Sequence, residues 1–171
     1  ALEVAMAIEN GADEVDIVLN VGRMLTGEYD EAANEVEVIR SEMDRDVVLK
    51  VIIESGALKT PELIRKASLL SMLAGADFIK TSTGKIDVAA TPEAAVVMCE
   101  AIRDYYNKTG RKVGFKAAGG VRTADDAALY YTIVEEILGK EWLTVDLFRI
   151  GASSAANNIL SAIEGKEVKY Y

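Results

Sequence analysis

The sequence predicts an α/β fold built on a parallel sheet, of the (β/α)8 barrel kind, and three observations lead there. Apolar segments of strand length alternate five times with segments of helical periodicity. No Gly-rich linker or low-complexity break interrupts them, so residues 1–171 read as a single domain. Each strand segment also carries a charge inside its apolar run: Asp16, Lys50, Lys80, Lys116 and Arg149. A doubly wound sheet covered by helices on both faces has little room for such a series. A barrel can turn these side chains inward near its C-terminal mouth, where the active sites of such barrels lie.

In chain order, residues 2–10 read as a helix with Val4, Ala5 and Ile8 at helical spacing and Gly11 as the stop. Residues 13–20 read as a strand, and residues 28–43 as a helix with Ala32, Val36, Ile39 and Met43 on one stripe. A second strand over 47–54 leads to a helix that Thr60 caps, with Pro61 at its first position and Glu62 complementing its dipole. The third strand, 78–83, is followed by a helix opening at Thr91-Pro92-Glu93, whose buried face carries Ala94, Val97, Met98, Ala101, Ile102 and Tyr105. A fourth unit runs from 113–116 into a helix starting at Thr123, and a fifth from 147–150 into a helix near Ser153. A barrel of this kind usually takes about 250 residues, so the chain is expected to be a partial barrel of about five βα units. The expectation is an N-terminally truncated chain, the C-terminal part of a barrel that lacks roughly 80 residues, or about three units.

Composition narrows the function. A formal charge of −9 argues against nucleic acid and anionic membrane as partners, because both demand a basic face. With one cysteine, Cys99, no internal disulfide can form, which fits a reducing cytoplasm. The absence of histidine removes Ser-His and Cys-His nucleophiles, and with a single cysteine it leaves no common zinc site. Acid/base work falls to Lys, Asp, Glu, Tyr or water. No apolar run approaches the length of a membrane span, and the first residues given do not show the charged, apolar and small-residue regions expected of a signal peptide.

The stretch Phe78-Ile79-Lys80-Thr81-Ser82-Thr83-Gly84-Lys85 carries the chemistry. It is not a P-loop, since Ile79 stands at the first glycine position and Ile86 where a Ser or Thr would reach magnesium. Lysines on consecutive strands bring their amines together, and burial plus neighbouring charge lowers the pKa of one of them towards neutral. A neutral amine beside a cationic one is prepared for Schiff-base chemistry on a carbonyl, with Asp16 able to hold a water and move protons. Lysines at a rim can also simply be solvated, Lys50 more readily than Lys80 or Lys116. Gly119-Gly120 and Gly151-Ala152-Ser153-Ser154 form glycine turns leading into helix N-termini, which offer free N–H groups to a phosphate. A Gly-Gly pair alone is as often only a tight turn.

These segments, with Gly11-Ala12-Asp13-Glu14-Val15-Asp16, Leu49-Lys50-Val51-Ile52-Ile53-Glu54, Gly114-Phe115-Lys116, Gly119-Gly120-Val121-Arg122-Thr123 and Phe148-Arg149-Ile150-Gly151, resemble the deoxyribose-phosphate aldolase family over essentially the whole chain. The resemblance implies a TIM barrel and a class I lyase of deoxyribonucleotide catabolism that needs no metal or other cofactor. Such an enzyme reversibly cleaves 2-deoxy-D-ribose 5-phosphate to D-glyceraldehyde 3-phosphate and acetaldehyde. It further implies that Lys80 is the Schiff-base lysine, that Lys116 depresses its pKa, and that Asp16 is the acid/base carboxylate working through water. By the same resemblance Lys50 is a further lysine of the site, and Thr83, Lys85, Gly119, Gly120, Gly151, Ser153 and Ser154 lie on the substrate and phosphate side. Its partners would be a phosphosugar and an aldehyde, with a homo-oligomer as a further expectation. The competing reading is an inactive fragment or a non-catalytic phosphosugar-binding module.

Overall fold

Thr60, Thr91 and Thr123 each end an extended stretch and start a helix by the same chemistry. In the computed structural model, which describes residues 1–44 and 46–170, their hydroxyls accept the N–H groups of Leu63, Ala94 and Asp126. Each bond satisfies one of the donors that a helix start leaves without a partner. Asp126 returns the favour by accepting from the Thr123 N–H at 2.9 Å, which completes a capping box.

The strands are β1 (Glu14–Val18), β2 (Val48–Ile52), β3 (Phe78–Lys80), β4 (Gly114–Ala118) and β5 (Phe148–Gly151). The helices are α1 (Leu2–Glu9), α2 (Val21–Thr26), α3 (Tyr29–Ser41), α4 (Ser55–Leu58), α5 (Pro61–Leu73), α6 (Pro92–Thr109), α7 (Ala124–Leu138) and α8 (Ala155–Glu164). All five strands are parallel and lie in the order β1-β2-β3-β4-β5. A doubly wound sheet would reverse its order at a switch point; a strictly sequential order is that of a barrel wall.

The curvature is visible in one contact. In a flat sheet the first and fifth strands would lie about 19 Å apart. Here the Arg149 guanidinium on β5 meets the Glu14 carboxylate on β1 at 2.9 Å, so the sheet curls until side chains of its two outermost strands touch. The expected partial barrel of five βα units is what the fold shows.

Register settles which residues face inward. Asp16 pairs with Lys50, Lys80 with Lys116, and Lys116 with Arg149, so period-2 alternation puts these charges on one face. The residues between them, Leu49, Val51, Ile79, Phe115 and Ala117, are fully buried in the core under the helices. On the inner face Gly114 pairs with Phe78, and the ring occupies the space a side chain at 114 would need. Arg149 sits 5.6 Å from the centre of that ring, so the floor of the concave face is aromatic and cationic together.

Three local expectations are corrected. The helix read over 28–43 is shorter, and a separate α2 precedes it, started by Asn20, whose side chain accepts from the Arg23 N–H, and stopped by Gly27 at φ +86°. Met43 is buried, as its place on the stripe required, but lies beyond the helix end at Ser41. The turn α4 was also unread, because four residues carry no periodicity. The third strand ends at Lys80, although Thr81 continues the ladder by donating to the Lys116 carbonyl at 3.1 Å.

Candidate active site

Asp16 is the centre of the concave face. Its Oδ2 accepts from Lys80 Nζ at 2.7 Å and from Lys116 Nζ at 3.0 Å, while Oδ1 accepts from Lys50 Nζ at 3.1 Å. Lys50 is bound a second time, by Glu14 at 2.6 Å, and Glu14 in turn holds Arg149. The lysine side chains are 5% (Lys50), 13% (Lys80) and 18% (Lys116) exposed, so none is a solvated rim residue. Four cations thus share two carboxylates, a local positive excess in a chain whose net charge is −9.

Burial opposes ionisation of Asp16, but the hydrogen bonds from Lys80, Lys116 and Lys50 outweigh it and hold the carboxyl far below the usual range. The bond from Lys50 does the same for Glu14 against a smaller burial cost, with Arg149 assisting. Lys116 goes the other way. Burial lowers its pKa, and the charges of Lys80 and Lys50 add to that, while the bond to Asp16 only partly compensates. The site therefore contains a firmly anionic carboxylate between two amines, one of which is biased towards its neutral form.

Beside this cluster lies a cavity of about 410 Å³, lined by Lys80, Lys116, Thr83, Gly84, Ala118, Gly119, Gly120, Val121, Arg122, Gly151, Ala152 and Ser153. Gly119 and Gly120, both on that lining, have φ of +82° and +84°, a succession that glycine adopts without strain. The N–H groups of Gly84 and Gly120 have no protein partner among the described residues and remain free to donate. Small backbone-rich walls, a cation at Arg122 and two lysines behind make the cavity suited to an anion.

Of the sequence-derived candidates, Lys80, Lys116, Asp16 and Lys50 meet in one network, and Thr83, Gly119, Gly120, Gly151 and Ser153 line the adjoining cavity. Lys85 and Ser154 are not on that lining. Lys85 is exposed and turns its backbone N–H to the Thr83 hydroxyl; Ser154 stands exposed at the start of α8 and its hydroxyl makes no capping bond. Three residues of the site went unread. Arg122 was legible as the cation of the glycine turn, whereas Glu14 and Glu54 gave no signal because their partners lie on other strands and loops. Among the described residues no group of His, Cys, Asp or Glu side chains is spaced to hold a metal ion, and no helix is long and apolar enough to cross a membrane.

The sequence profile described as DeoC/LacD family aldolase matches residues 1–154. The chain belongs to that family. Among DeoC/LacD relatives, deoxyribose-phosphate aldolase of Mus musculus is 50% identical over 157 residues, and that of Homo sapiens 46%, each alignment covering 92% of this chain and 49% of the relative. The chain spans about half the length of the curated relatives it matches. Among solved structures, the tetrameric deoxyribose phosphate aldolase of Aeropyrum pernix superposes with a TM-score of 0.69 at 27% identity, over 95% of this chain and 60% of that one. The five parallel strands described above are consistent with the fold of that aldolase.

Proposed function

We propose that this chain carries the chemistry of a class I deoxyribose-phosphate aldolase, with Lys80 as the Schiff-base lysine. The observation that supports this reading is the sharing of Asp16 Oδ2 by Lys80 and Lys116 at the edge of an anion cavity. Asp16 Oδ2, which Lys80 and Lys116 share, can relay the proton that Lys80 must give up before it attacks. The freed Lys80 nitrogen then attacks the acetaldehyde carbonyl, and loss of water leaves an imine. A water held by Asp16 takes a proton from the methyl carbon of the protonated imine, and the resulting enamine forms the carbon–carbon bond to the aldehyde carbon of glyceraldehyde 3-phosphate. The new alkoxide takes up a proton, and water releases deoxyribose 5-phosphate and restores Lys80. Cleavage is the reverse sequence.

Lys50 is a poor competitor for the nucleophile, because Glu14 and Asp16 both hold its ammonium and it is nearly inaccessible. Its role in this reading is to fix Oδ1 of Asp16, leaving Oδ2 for the reacting pair. The phosphate would lie against Thr83-Gly84, Gly119-Gly120 and Gly151-Ser153, with Arg122 opposite. The tetramer of the Aeropyrum pernix relative supports assembly of the working protein as a homo-oligomer.

Borohydride trapping tests the assignment. After incubation with acetaldehyde, mass spectrometry is expected to find the reduced adduct on the peptide containing Lys80, and none in Lys80→Ala. An adduct on Lys50, or one that survives Lys80→Ala, overturns it. Phosphate binding without any trapping would instead favour the non-catalytic binding module.

A further inference from the structure

Glu54 is the single carboxylate-bearing residue that is buried among the described residues, and no lysine or arginine pairs with it. Such a charge is costly to bury and needs compensating donors. All of them come from one residue. Thr83 Oγ1 donates to Oε2 at 2.5 Å, and the Thr83 N–H reaches Oε1 at 3.2 Å and Oε2 at 3.4 Å. The backbone at Glu54 is left-handed, with φ +54° and ψ +58°, unusual for a residue with a side chain. It is braced on both sides, by the Ile53 N–H to the Lys80 carbonyl at 3.0 Å and the Ser55 N–H to the Thr81 carbonyl at 2.9 Å. A strained backbone held that firmly delivers its side chain to one place.

What that side chain holds is a wall of the anion cavity. Thr83 and Gly84 line it, the Thr83 hydroxyl accepts the Lys85 N–H at 3.1 Å, and Gly84 abuts Gly119 so closely that a Cβ at 119 would come within 3.2 Å of the Gly84 Cα. Glu54 itself is absent from the lining, so its charge is spent behind the wall.

We propose that Glu54 is a positioning residue for the phosphate of the substrate: its carboxylate locks the Thr83-Gly84-Lys85 turn against Gly119, so that the free Gly84 N–H faces the anion. This rests on the aldolase reading for the identity of the anion, but the wall is built whether or not Lys80 forms an imine. The test uses the whole 171-residue chain with two readouts, the Kd for inorganic phosphate by NMR titration and the rate of acetaldehyde trapping. Glu54→Gln, which keeps one acceptor and loses the charge, is expected to weaken phosphate about tenfold while trapping falls less than about threefold. Thr83→Val is expected to reproduce the phosphate loss, Thr83→Ser to restore it, and the double variant Glu54→Gln/Thr83→Val to be no worse than Thr83→Val alone. Unchanged phosphate affinity in Glu54→Gln, equal losses in both readouts, or additive losses in the double variant overturn the proposal. Should Glu54→Gln not fold, the Thr83 pair decides: loss with Val and retention with Ser sustains it, and retention with both overturns it. A wild-type chain that binds phosphate but traps no acetaldehyde overturns the aldolase reading alone, and one that binds no phosphate overturns the role of Glu54.

Discussion

Asp16 accepts from three lysines at once, so removing its charge leaves Lys80 and Lys116 facing each other without the carboxylate they share, and Lys50 with Glu14 alone. Asp16→Asn is expected to cost about 3 kcal/mol in urea unfolding, the scale of breaking a buried ion pair from one side, and to abolish borohydride trapping. The pH dependence has a definite sign. Asp16 ionises far more readily folded than unfolded, so its contribution is complete above the ordinary carboxylate pKa and drains away as acid carries the pH down through the folded value. Wild type should therefore lose stability on acidification below about pH 4 more steeply than Asp16→Asn. Lys116 also has a lowered pKa, so the unfolded chain binds more protons in the window below the ordinary lysine value, and stability rises with pH there. Unfolding series between neutral pH and about pH 10 should show that rise in wild type and its loss in Lys116→Met. Lys80, Lys116 and Asp16 were legible as residues because a charge within an apolar strand needs a reason. Their sharing of one oxygen was not, since it depends on three strands meeting.

At the scale of the element, the βα units were read from their starts. Thr60-Pro61-Glu62 and Thr91-Pro92-Glu93 announce helices by chemistry confined to three or four residues, and the caps form as expected. Thr123→Ala removes one half of a capping box and is expected to destabilise the chain by about 1 kcal/mol in thermal or urea melts. Gly114→Ala should cost more, about 1–3 kcal/mol, because the new methyl group competes with the Phe78 ring for the same inner-face space. Equal stability of Gly114→Ala and wild type would mean the ring has room to move. The short helices α2 and α4 escaped the reading for a physical reason. Six and four residues are too few to show a period of 3.6, and tertiary contacts rather than an amphipathic stripe hold them.

For the whole molecule, β1 and β5 are joined across the concave face by Arg149 and Glu14, and among the described residues no strand ladder closes the gap, so each has an open edge there. In α1, the helix that precedes β1, Leu2 and Met6 are 75% and 53% exposed. Open edges and apolar surface favour association, and the isolated chain is expected to show concentration-dependent self-association in size-exclusion chromatography or sedimentation. Leu2→Glu combined with Met6→Glu should weaken it; a monomer at every concentration in wild type would count against an interacting edge. By itself the sequence determined what is local: alternating periods of 2 and 3.6, helix caps, glycine turns, and the identity of the charged residues set into strands. Only the tertiary structure decided which of those charges meet. The bonds that build the site join residues 34, 64, 100 and 135 positions apart, from Lys50 and Lys80 to Asp16, from Lys116 to Asp16, and from Arg149 to Glu14. Such partnerships follow from strand register and from the curl of the sheet, and neither leaves a trace in the spacing of neighbouring residues.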